Sequence, residues 1–454
     1  MMVNLTSVIY FWSAWIIIPI VMEIIPGLVN FAYTFVDLLR REKKEPLVFL
    51  PHITVIIPVY NSAETLYRCI QSVDQSTYPN ELIDVLLVDN GSTDNSYEEF
   101  ERAQLDYQSL FIWSVNSNQG KSKALNKAIF NSEGKYIINI DSDGILEEQA
   151  LMNIVYDFET QDDADCLTGI ILTEPALIKE TDGFFLRQFQ KVEFMEYASS
   201  FIVGKSFKSR SNEIYTISGA FSALRKSVLV KTFLYNTNTI CEDTHLTFQI
   251  KQNLGKKVHL CEEAIFMVDP IEGFNKFYTQ RQRWQIGELE VSNMFLKDKL
   301  DNPIYRFFSD HLVRLLIVDH TFAFPRMVWY FVLFVIGSMN QKFDDIIVAT
   351  ALIYLLYVIV CLLNYVNIVI YFNQFKNFNK YYARKILYLI LLPLYNMVAY
   401  LVRLAGIVNS TKRKNSWKTF TLSEELKMIG RQIREHFNFI GAIRRGTKRL
   451  VEEG

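Results

Sequence analysis

Apolar residues fall along this chain in two ways. Between residues 46 and 270 they come in short β-branched runs separated by amphipathic stretches. Outside that region they come in runs long enough to cross a bilayer. The short runs are 52–60 (His-Ile-Thr-Val-Ile-Ile-Pro-Val-Tyr), 83–88 (Ile-Asp-Val-Leu-Leu-Val) and 136–140 (Tyr-Ile-Ile-Asn-Ile), and 63–75, 93–105 and 121–131 read as helices beside them. Strands alternating with helices predict βαβ units and a mostly parallel sheet covered on both faces. Polar residues cluster where these strands end, which is where an open α/β sheet binds ligands. There is no internal repeat and no low-complexity segment.

The first long run is Val8–Val36, interrupted by Glu23 and by Pro26-Gly27. It is too long for a signal-peptide core and has no preceding basic region. Arg40, Arg41, Lys43 and Lys44 follow, so the positive-inside rule places residue 46 onward in the cytosol. Residues 320–338 and 345–371 are further spanning candidates. The loop between them suits the outside, whereas 372–385, with Lys376, Lys380, Arg384, Lys385 and no acid, suits the cytosol. A fourth apolar segment, 386–408, contains Pro393, Asn396 and Arg403. If it crossed, the basic tail would lie outside, so an interfacial or re-entrant helix is expected. Residues 411–454 hold eleven Lys/Arg against five Asp/Glu and read as membrane-surface contact or a solvated helical tail.

Composition sharpens this division. Half the residues are hydrophobic and 14% aromatic, high for a purely soluble enzyme, while the net charge of −2 hides its segregation along the chain. The five cysteines form no CxxC pair, which argues against a zinc site and fits a reduced compartment. Nothing points to a nucleic-acid partner. The expected organisation is an N-terminal transmembrane helix with a basic juxtamembrane segment (1–45), a cytosolic catalytic domain (46–270), amphipathic interface helices (271–310), transmembrane or interfacial helices (311–410) and a basic cytosolic tail (411–454).

Five pieces carry candidate chemistry. Val88-Asp89-Asn90-Gly91-Ser92 ends a strand in an acid and a glycine turn; Asp89 suits a base or ribose edge, or else the turn merely caps a helix. Gly120-Lys121 opens a helix and suits a diphosphate, with a plain cap and surface lysine as the competing reading. Asp141-Ser142-Asp143-Gly144 puts two carboxylates at a strand end, within reach of one divalent cation, Mg²⁺ or Mn²⁺, and a diphosphate. Glu242-Asp243 opens another helix, where a carboxylate could deprotonate an acceptor hydroxyl or simply favour the helix dipole. Gln280-Arg-Gln-Arg283-Trp284, in the amphipathic stretch 274–296, suits stacking on a sugar ring, interfacial anchoring, or both.

In this order the five pieces resemble those of a family 2 glycosyltransferase of the GT-A fold, and the chain is similar to the membrane-bound processive synthases of poly-N-acetylglucosamine, hyaluronan, chitin and cellulose. The resemblance covers roughly 48–300. It implies a Rossmann-like α/β GT-A domain with an α-helical transmembrane region. It also implies a UDP-sugar donor, UDP-N-acetylglucosamine before UDP-glucose, a glycan or lipid-linked acceptor, and inversion at the anomeric carbon. By the same resemblance Pro58, Tyr60, Asn61 and Asp89 would line the uridine pocket with Lys121 nearby. Asp141 would contact the nucleotide and share the metal with Asp143, and Ser218-Gly219-Ala220 would border the acceptor. Asp243 would be the base, supported by Glu242, and Gln280, Arg283 and Trp284 would hold the diphosphate and the terminal sugar. The departures are Asn90 in place of a second Asp, Cys241 in place of Thr, and no FxVTxK loop after residue 284. Trp417-x-Thr419 loosely resembles the Trp-Gly-Thr element of hyaluronan synthases. The expected function is processive β-linked polysaccharide synthesis with export through the bilayer, with a homo-oligomer or partner membrane protein completing the channel. The alternatives are single-sugar transfer and a non-catalytic glycan-associated scaffold.

Overall fold

The computed structural model describes residues 20, 24–40, 45–296, 343–410 and 421–428. Eight strands form one sheet: β1 Ile53–Val59, β2 Ile83–Asp89, β3 Phe111–Asn116, β4 Tyr136–Ile140, β5 Gly144–Leu146, β6 Cys166–Thr173, β7 Phe221–Arg225 and β8 Val258–Val268, in the order β3-β2-β1-β4-β7-β6-β8-β5. The run β3-β2-β1-β4 is parallel, as the alternation of strands and helices implies. Every residue of β1 and of β6 is buried, which explains why their sequences are continuous rather than alternating apolar runs. Four helices accompany this half of the sheet: α1 Ile25–Leu39 before it, then α2 Leu66–Asp74, α3 Ser96–Asp106 and α4 Lys121–Asn131.

The second half of the sheet is mixed. β7 runs antiparallel to both β4 and β6, β8 is parallel to β6, and β5 is antiparallel to β8. The reversal has a chain-path cause. After α5 (Ala150–Thr160) and β6, the chain passes through α6 (Phe184–Ala198), a π-helical turn at Ser199–Lys205 and a short helix at Ser206–Arg210. It then re-enters the sheet beside the end of β4, with Phe221 opposite Ile140. Ser218-Gly219-Ala220 is thereby laid against Asp141, whose backbone N–H donates to the Ala220 carbonyl at 3.1 Å.

The helices beyond the sheet are α7 Glu242–Phe248, α8 Phe274–Leu296, α9 Phe343–Phe372, α10 Lys376–Ala383 and α11 Leu392–Ser410. Within α9, Thr350–Phe372 is long and apolar enough to cross a membrane, with a mean hydropathy of 2.3, and no other described helix meets that test. Its two ends differ. Leu352, Leu355, Ile359, Leu362 and Val366 are exposed, whereas Ile368, Tyr371 and Phe372 are buried in the same core as the sheet. Tyr371 donates its hydroxyl to the Glu262 carbonyl, and Phe372 packs on Tyr382 at 5.4 Å, which in turn lies 6.1 Å from Phe194 of α6. The last turns of α9 are therefore part of the folded domain. Near the other end of the chain, α1 is held to α9 by the Asn367 side-chain amide, which donates to the Phe31 carbonyl at 3.1 Å.

The fourth apolar segment is divided in two. Ile386–Ile390 forms a 3₁₀ turn, and α11 starts at Leu392 with Pro393 in its first turn, where the missing N–H costs no hydrogen bond. Beyond α11, Thr421 and Glu424 make the reciprocal capping box that their spacing suggests, at 2.8 and 3.3 Å. Glu425 accepts from Tyr278 of α8 and from Asn409 of α11, each at 2.6 Å. The spanning candidate 320–338, most of the first run before residue 24, Arg41, Lys43, Lys44, Trp417-x-Thr419 and most of the basic tail lie outside the described residues.

Because Phe372 is fully buried, Phe372→Ala should cost about 3–5 kcal/mol and lower the thermal midpoint of the detergent-solubilised protein. Leu355→Ala, on the exposed part of the same helix, should move it much less. Equal shifts in melting experiments would contradict the division of α9 into an exposed and a core-bound part.

Candidate active site

The strand ends are stitched together before any ligand is considered. β1 and β2 finish in register, Val59 beside Asp89, with Pro58 buried inside β1 and Tyr60 exposed just past its end. Asn61 sits at φ 51°, a left-handed conformation that Asn tolerates. Its side-chain oxygen accepts from the Thr93 N–H at 2.8 Å, and its own N–H donates to the Ser92 hydroxyl at 3.0 Å. Asp89 accepts from the Ser92 N–H at 3.1 Å, which closes the turn after β2. Asn90 accepts from the Gly120 N–H at 2.5 Å and so pins this loop to the start of α4. The amide makes that clamp without adding a charge, a physical reason for Asn to stand there.

Lys121, the first residue of α4, occupies the centre. Its ammonium is paired with the Asp141 carboxylate and donates to the Gly219 carbonyl at 3.3 Å. Asn139 donates to that same carbonyl at 2.7 Å. Asp243 stands directly over Gly219: a Cβ added there would lie 2.9 Å from its carboxylate oxygen. Burial opposes the Lys121 charge, but Asp141, Glu242 and Asp243 together hold its pKa above the ordinary value. Burial likewise raises Glu242, with Lys121 opposing and the charges of Asp243 and Asp141 adding to the rise. Asp243 is also raised by burial, against the pull of the Thr244 N–H, Lys121 and Lys205. The Thr244 N–H donates to the Asp243 carboxylate at 2.7 Å, and the Thr247 hydroxyl donates to its carbonyl, also at 2.7 Å. The structure thus brings Lys121, Asp141, Gly219, Glu242 and Asp243 into one cluster.

Asp143 opens to solvent although protein surrounds it on most sides, as on the floor of a cleft. Desolvation raises its pKa to about 6, with Asp141 and Asp269 adding to the rise and Lys121 opposing it. Ser142, between the two acids, is turned inward to share a hydrogen with Ser62 at 2.7 Å. The exposed carboxylate under like-charge pressure is suited to a divalent cation. Among the described residues no three His, Cys, Asp or Glu side chains are placed to hold one metal ion together. An ion there would therefore take its remaining ligands from a diphosphate and water, the usual habit of Mg²⁺.

The helix carrying Gln280, Arg283 and Trp284 is docked beside this cluster through Cys241. A Cβ on Gly287 of α8 would fall 2.1 Å from the Cys241 sulfur, so the two small residues allow α8 to approach the residue preceding Glu242. The Cys241 thiol lies 3.8 Å from the Arg283 carbonyl, and Glu290 accepts from the Ile240 N–H at 3.2 Å. The anchor on the other side is Arg281, which pairs with Glu196 at 2.6 Å and lies 4.8 Å from the centre of the Trp284 ring. Arg283 and Trp284 are exposed, and the side-chain oxygen of Gln280 is buried without a hydrogen-bond partner among the described residues.

Sequence reasoning missed Lys205. Its ammonium donates to the Ser218 hydroxyl at 2.8 Å and to Thr168 at 3.2 Å, and it lies 4.9 Å from the Phe201 ring. Burial pushes its pKa down to about 7, offset in part by Asp243. The only local signal is a lone lysine in the apolar stretch Phe201–Phe207, at the end of a π-helical turn of the kind that often accompanies functional sites.

Comparison with known proteins follows this geometry. Residues 54–233 match the family model described as Glycosyl transferase family 2. The chain is 26% identical over 247 residues to the poly-beta-1,6-N-acetyl-D-glucosamine synthase of Staphylococcus epidermidis, covering 53% of this chain and 55% of the synthase. It therefore spans about half the length of that curated relative. With the synthase of the same name from Staphylococcus aureus (strain COL) it is 24% identical over 315 residues, covering 68% of this chain and 73% of the other. Among solved structures, a mannosyltransferase from Pyrobaculum calidifontis in complex with GDP-Man and Mn2+ superposes with a TM-score of 0.58 at 15% identity, covering 89% of this chain and all of that one. That likeness identifies the fold as GT-A.

Because the folded-state pKa of Asp143 lies above that of a free carboxyl, its ionisation opposes folding, and stability should fall as pH rises through about 6. Asp143→Asn should therefore raise the thermal midpoint of the ligand-free protein in EDTA most at pH 8 and by a smaller amount at pH 5, where the folded carboxyl is still mostly protonated but the unfolded one is already ionised. A midpoint lowered at pH 8, or the same shift at both pH values, would contradict the assigned charge cluster.

Proposed function

We propose, from the family 2 glycosyl transferase domain that residues 54–233 form, that this protein is a membrane-bound inverting glycosyltransferase acting on a UDP-sugar. One observation carries the reading: the acids ending β4 and the acids opening α7 meet around Lys121 and Gly219, from opposite sides of one cleft. In that cleft Pro58, Tyr60, Asn61 and Asp89 would receive the uridine, and Lys121 and Asp141 the nucleotide. Asp143, with Asp141, would hold a divalent cation, which would neutralise charge on the departing diphosphate.

The chemistry left to the protein is deprotonation and orientation. Asp243 takes the proton from an acceptor hydroxyl positioned near Ser218-Gly219. The freed oxygen attacks the anomeric carbon from the face opposite the nucleotide. The bond to the diphosphate breaks, UDP leaves with that electron pair, and an α-linked donor yields a β-linkage. Glu242 supports the base, and burial, which raises the pKa of both acids, favours proton acceptance. Gln280, Arg283 and Trp284 hold the diphosphate and the end of the acceptor. UDP-N-acetylglucosamine is the leading donor, ahead of UDP-glucose, supported by the similarity to the staphylococcal poly-beta-1,6-N-acetyl-D-glucosamine synthases.

Repeated transfer with outward threading of the product fits the direct docking of α8 between the catalytic acids and α11, which itself packs on the apolar helix α9. A homo-oligomer or a partner membrane protein would complete the channel wall, with the catalytic domain facing the cytosol. Transfer of a single sugar to a lipid carrier or short glycan uses the same residues and differs only in product length.

Asp243→Asn should reduce transfer at least about 100-fold while UDP-sugar binding with Mn²⁺ stays close to wild type. Asp143→Ala should weaken cation-dependent donor binding itself. Titration calorimetry and a radiolabelled-sugar transfer assay on the purified chain separate the two effects. Undiminished transfer by Asp243→Asn would remove the base assignment. A product ladder or high polymer supports repeated addition, and a single-sugar product supports the alternative.

A further inference from the structure

A second charged cluster lies away from the acids. Lys179, from the helical turn Pro175–Glu180, sits 5.7 Å from the centre of the Tyr381 ring, and Lys385 sits 4.4 Å from the same ring. Lys191 of α6 lies 5.8 Å from the Tyr388 ring, and Tyr388 is held to α6 through the side chain of Gln188. Arg384 precedes Lys385. Three separate elements thus deliver four cations to one patch. Among the described residues none of the four is ion-paired with a carboxylate. Burial and the charges of Lys191, Lys179 and Arg384 all push the Lys385 pKa down. Tyr381, whose ring lies next to two of these ammoniums, is 9% exposed, and its hydroxyl has no hydrogen-bond partner among the described residues. Gathered like charges beside an unsatisfied buried donor are an arrangement that an anion would stabilise.

The position of the patch narrows the choice of anion. Tyr365 of α9 donates to the Ala383 carbonyl at 2.8 Å, and Tyr354 donates to the Ile390 carbonyl. Residues 383–390 therefore run back along α9, from the level of Tyr365 to that of Tyr354. On α9 that first level is the boundary between exposed Val366 and fully buried Asn367 and Ile368. Arg384 and Lys385 stand where the apolar helix leaves the folded domain, and exposed Ile386, Leu387, Ile390 and Leu391 follow them along it. Charge at the boundary and apolar surface beyond it match a phosphate headgroup with its acyl chains.

We infer that Lys179, Lys191, Arg384 and Lys385 receive the phosphate of an anionic phospholipid whose acyl chains lie along Ile386, Leu387 and Ile390. This rests on the membrane-bound reading proposed above and is independent of glycosyl transfer. The test is native mass spectrometry of the full chain in detergent, titrated with phosphatidylglycerol or phosphatidylcholine, with inorganic phosphate as competitor. Wild type should retain phosphatidylglycerol on the order of tenfold more tightly than phosphatidylcholine. Lys179→Gln/Lys385→Gln should weaken that binding on the order of tenfold with an unchanged thermal midpoint, and the exposed single variant Arg384→Gln should weaken it less. Equal retention of the two lipids, or equal phosphatidylglycerol binding by wild type and both variants, would overturn the site. Complete displacement by millimolar inorganic phosphate would also overturn it, by showing a free-anion pocket. A chain that purifies without detergent would overturn it together with the membrane reading. Because lipid retention is read without a donor, a failed transferase assay leaves this result unaffected.

Discussion

The Lys121 ammonium is the constraint on which the site depends. Three carboxylates from two distant parts of the sequence, Asp141 at the end of β4 and Glu242-Asp243 at the start of α7, face it across one small volume. Without a central cation their mutual repulsion in a partly desolvated cleft would drive them to protonate or to separate. The parallel half of the sheet supplies Lys121 and Asp141 because α4 and β4 are consecutive. The reversed strand β7 supplies Gly219, whose missing side chain leaves room for Asp243 above and whose carbonyl accepts from Lys121 and Asn139. The mixed character of the sheet is therefore part of the site's construction.

The same cluster connects the sheet to the helices outside it. Cys241 and Gly287 bring α8 against the residue preceding the α7 acids, and Gly406 of α11 approaches the backbone of α8 at Gln282, where an added Cβ would lie 3.3 Å from the Gln282 Cα. Arg403 reinforces that contact by donating to Gln285 at 2.8 Å. The last turns of α9 enter the same hydrophobic core as the strands. Displacement of α8 or α11 thus has a short, close-packed route to Glu242 and Asp243.

Much of this was legible in the sequence, and the exceptions have physical reasons. The runs 52–60, 83–88 and 136–140 became β1, β2 and β4 within a residue of their ends, because fully buried parallel strands write continuous apolar runs. The stretch 274–296 became α8 with those bounds. The sequence reading did not mark β3, β5, β6, β7 or β8: β3 is only partly buried and so writes no continuous apolar run, β5 is only three residues long, and the reversal at β7 is set by chain path after α6 rather than by any local pattern. Asp141 and Lys121 were each read as nucleotide contacts, but their pairing with each other is a tertiary fact that spacing does not encode. Lys205 carries no motif at all and becomes visible only when its amine is seen between Thr168 and Ser218. The long apolar segment 386–408 gave its length but hid its division at Leu391.

The central claim is that the charge of Lys121 keeps the acids of the cleft ionised, and the pH profile of sugar transfer by Lys121→Met tests it most directly. Lys121 lowers the pKa values of Asp143, Glu242 and Asp243. Its removal should therefore move the acid limb of the profile upward by on the order of one pH unit, with part of the lost rate recovered at alkaline pH. An acid limb that stays at the wild-type position, with a loss of rate equal at every pH, would contradict the account.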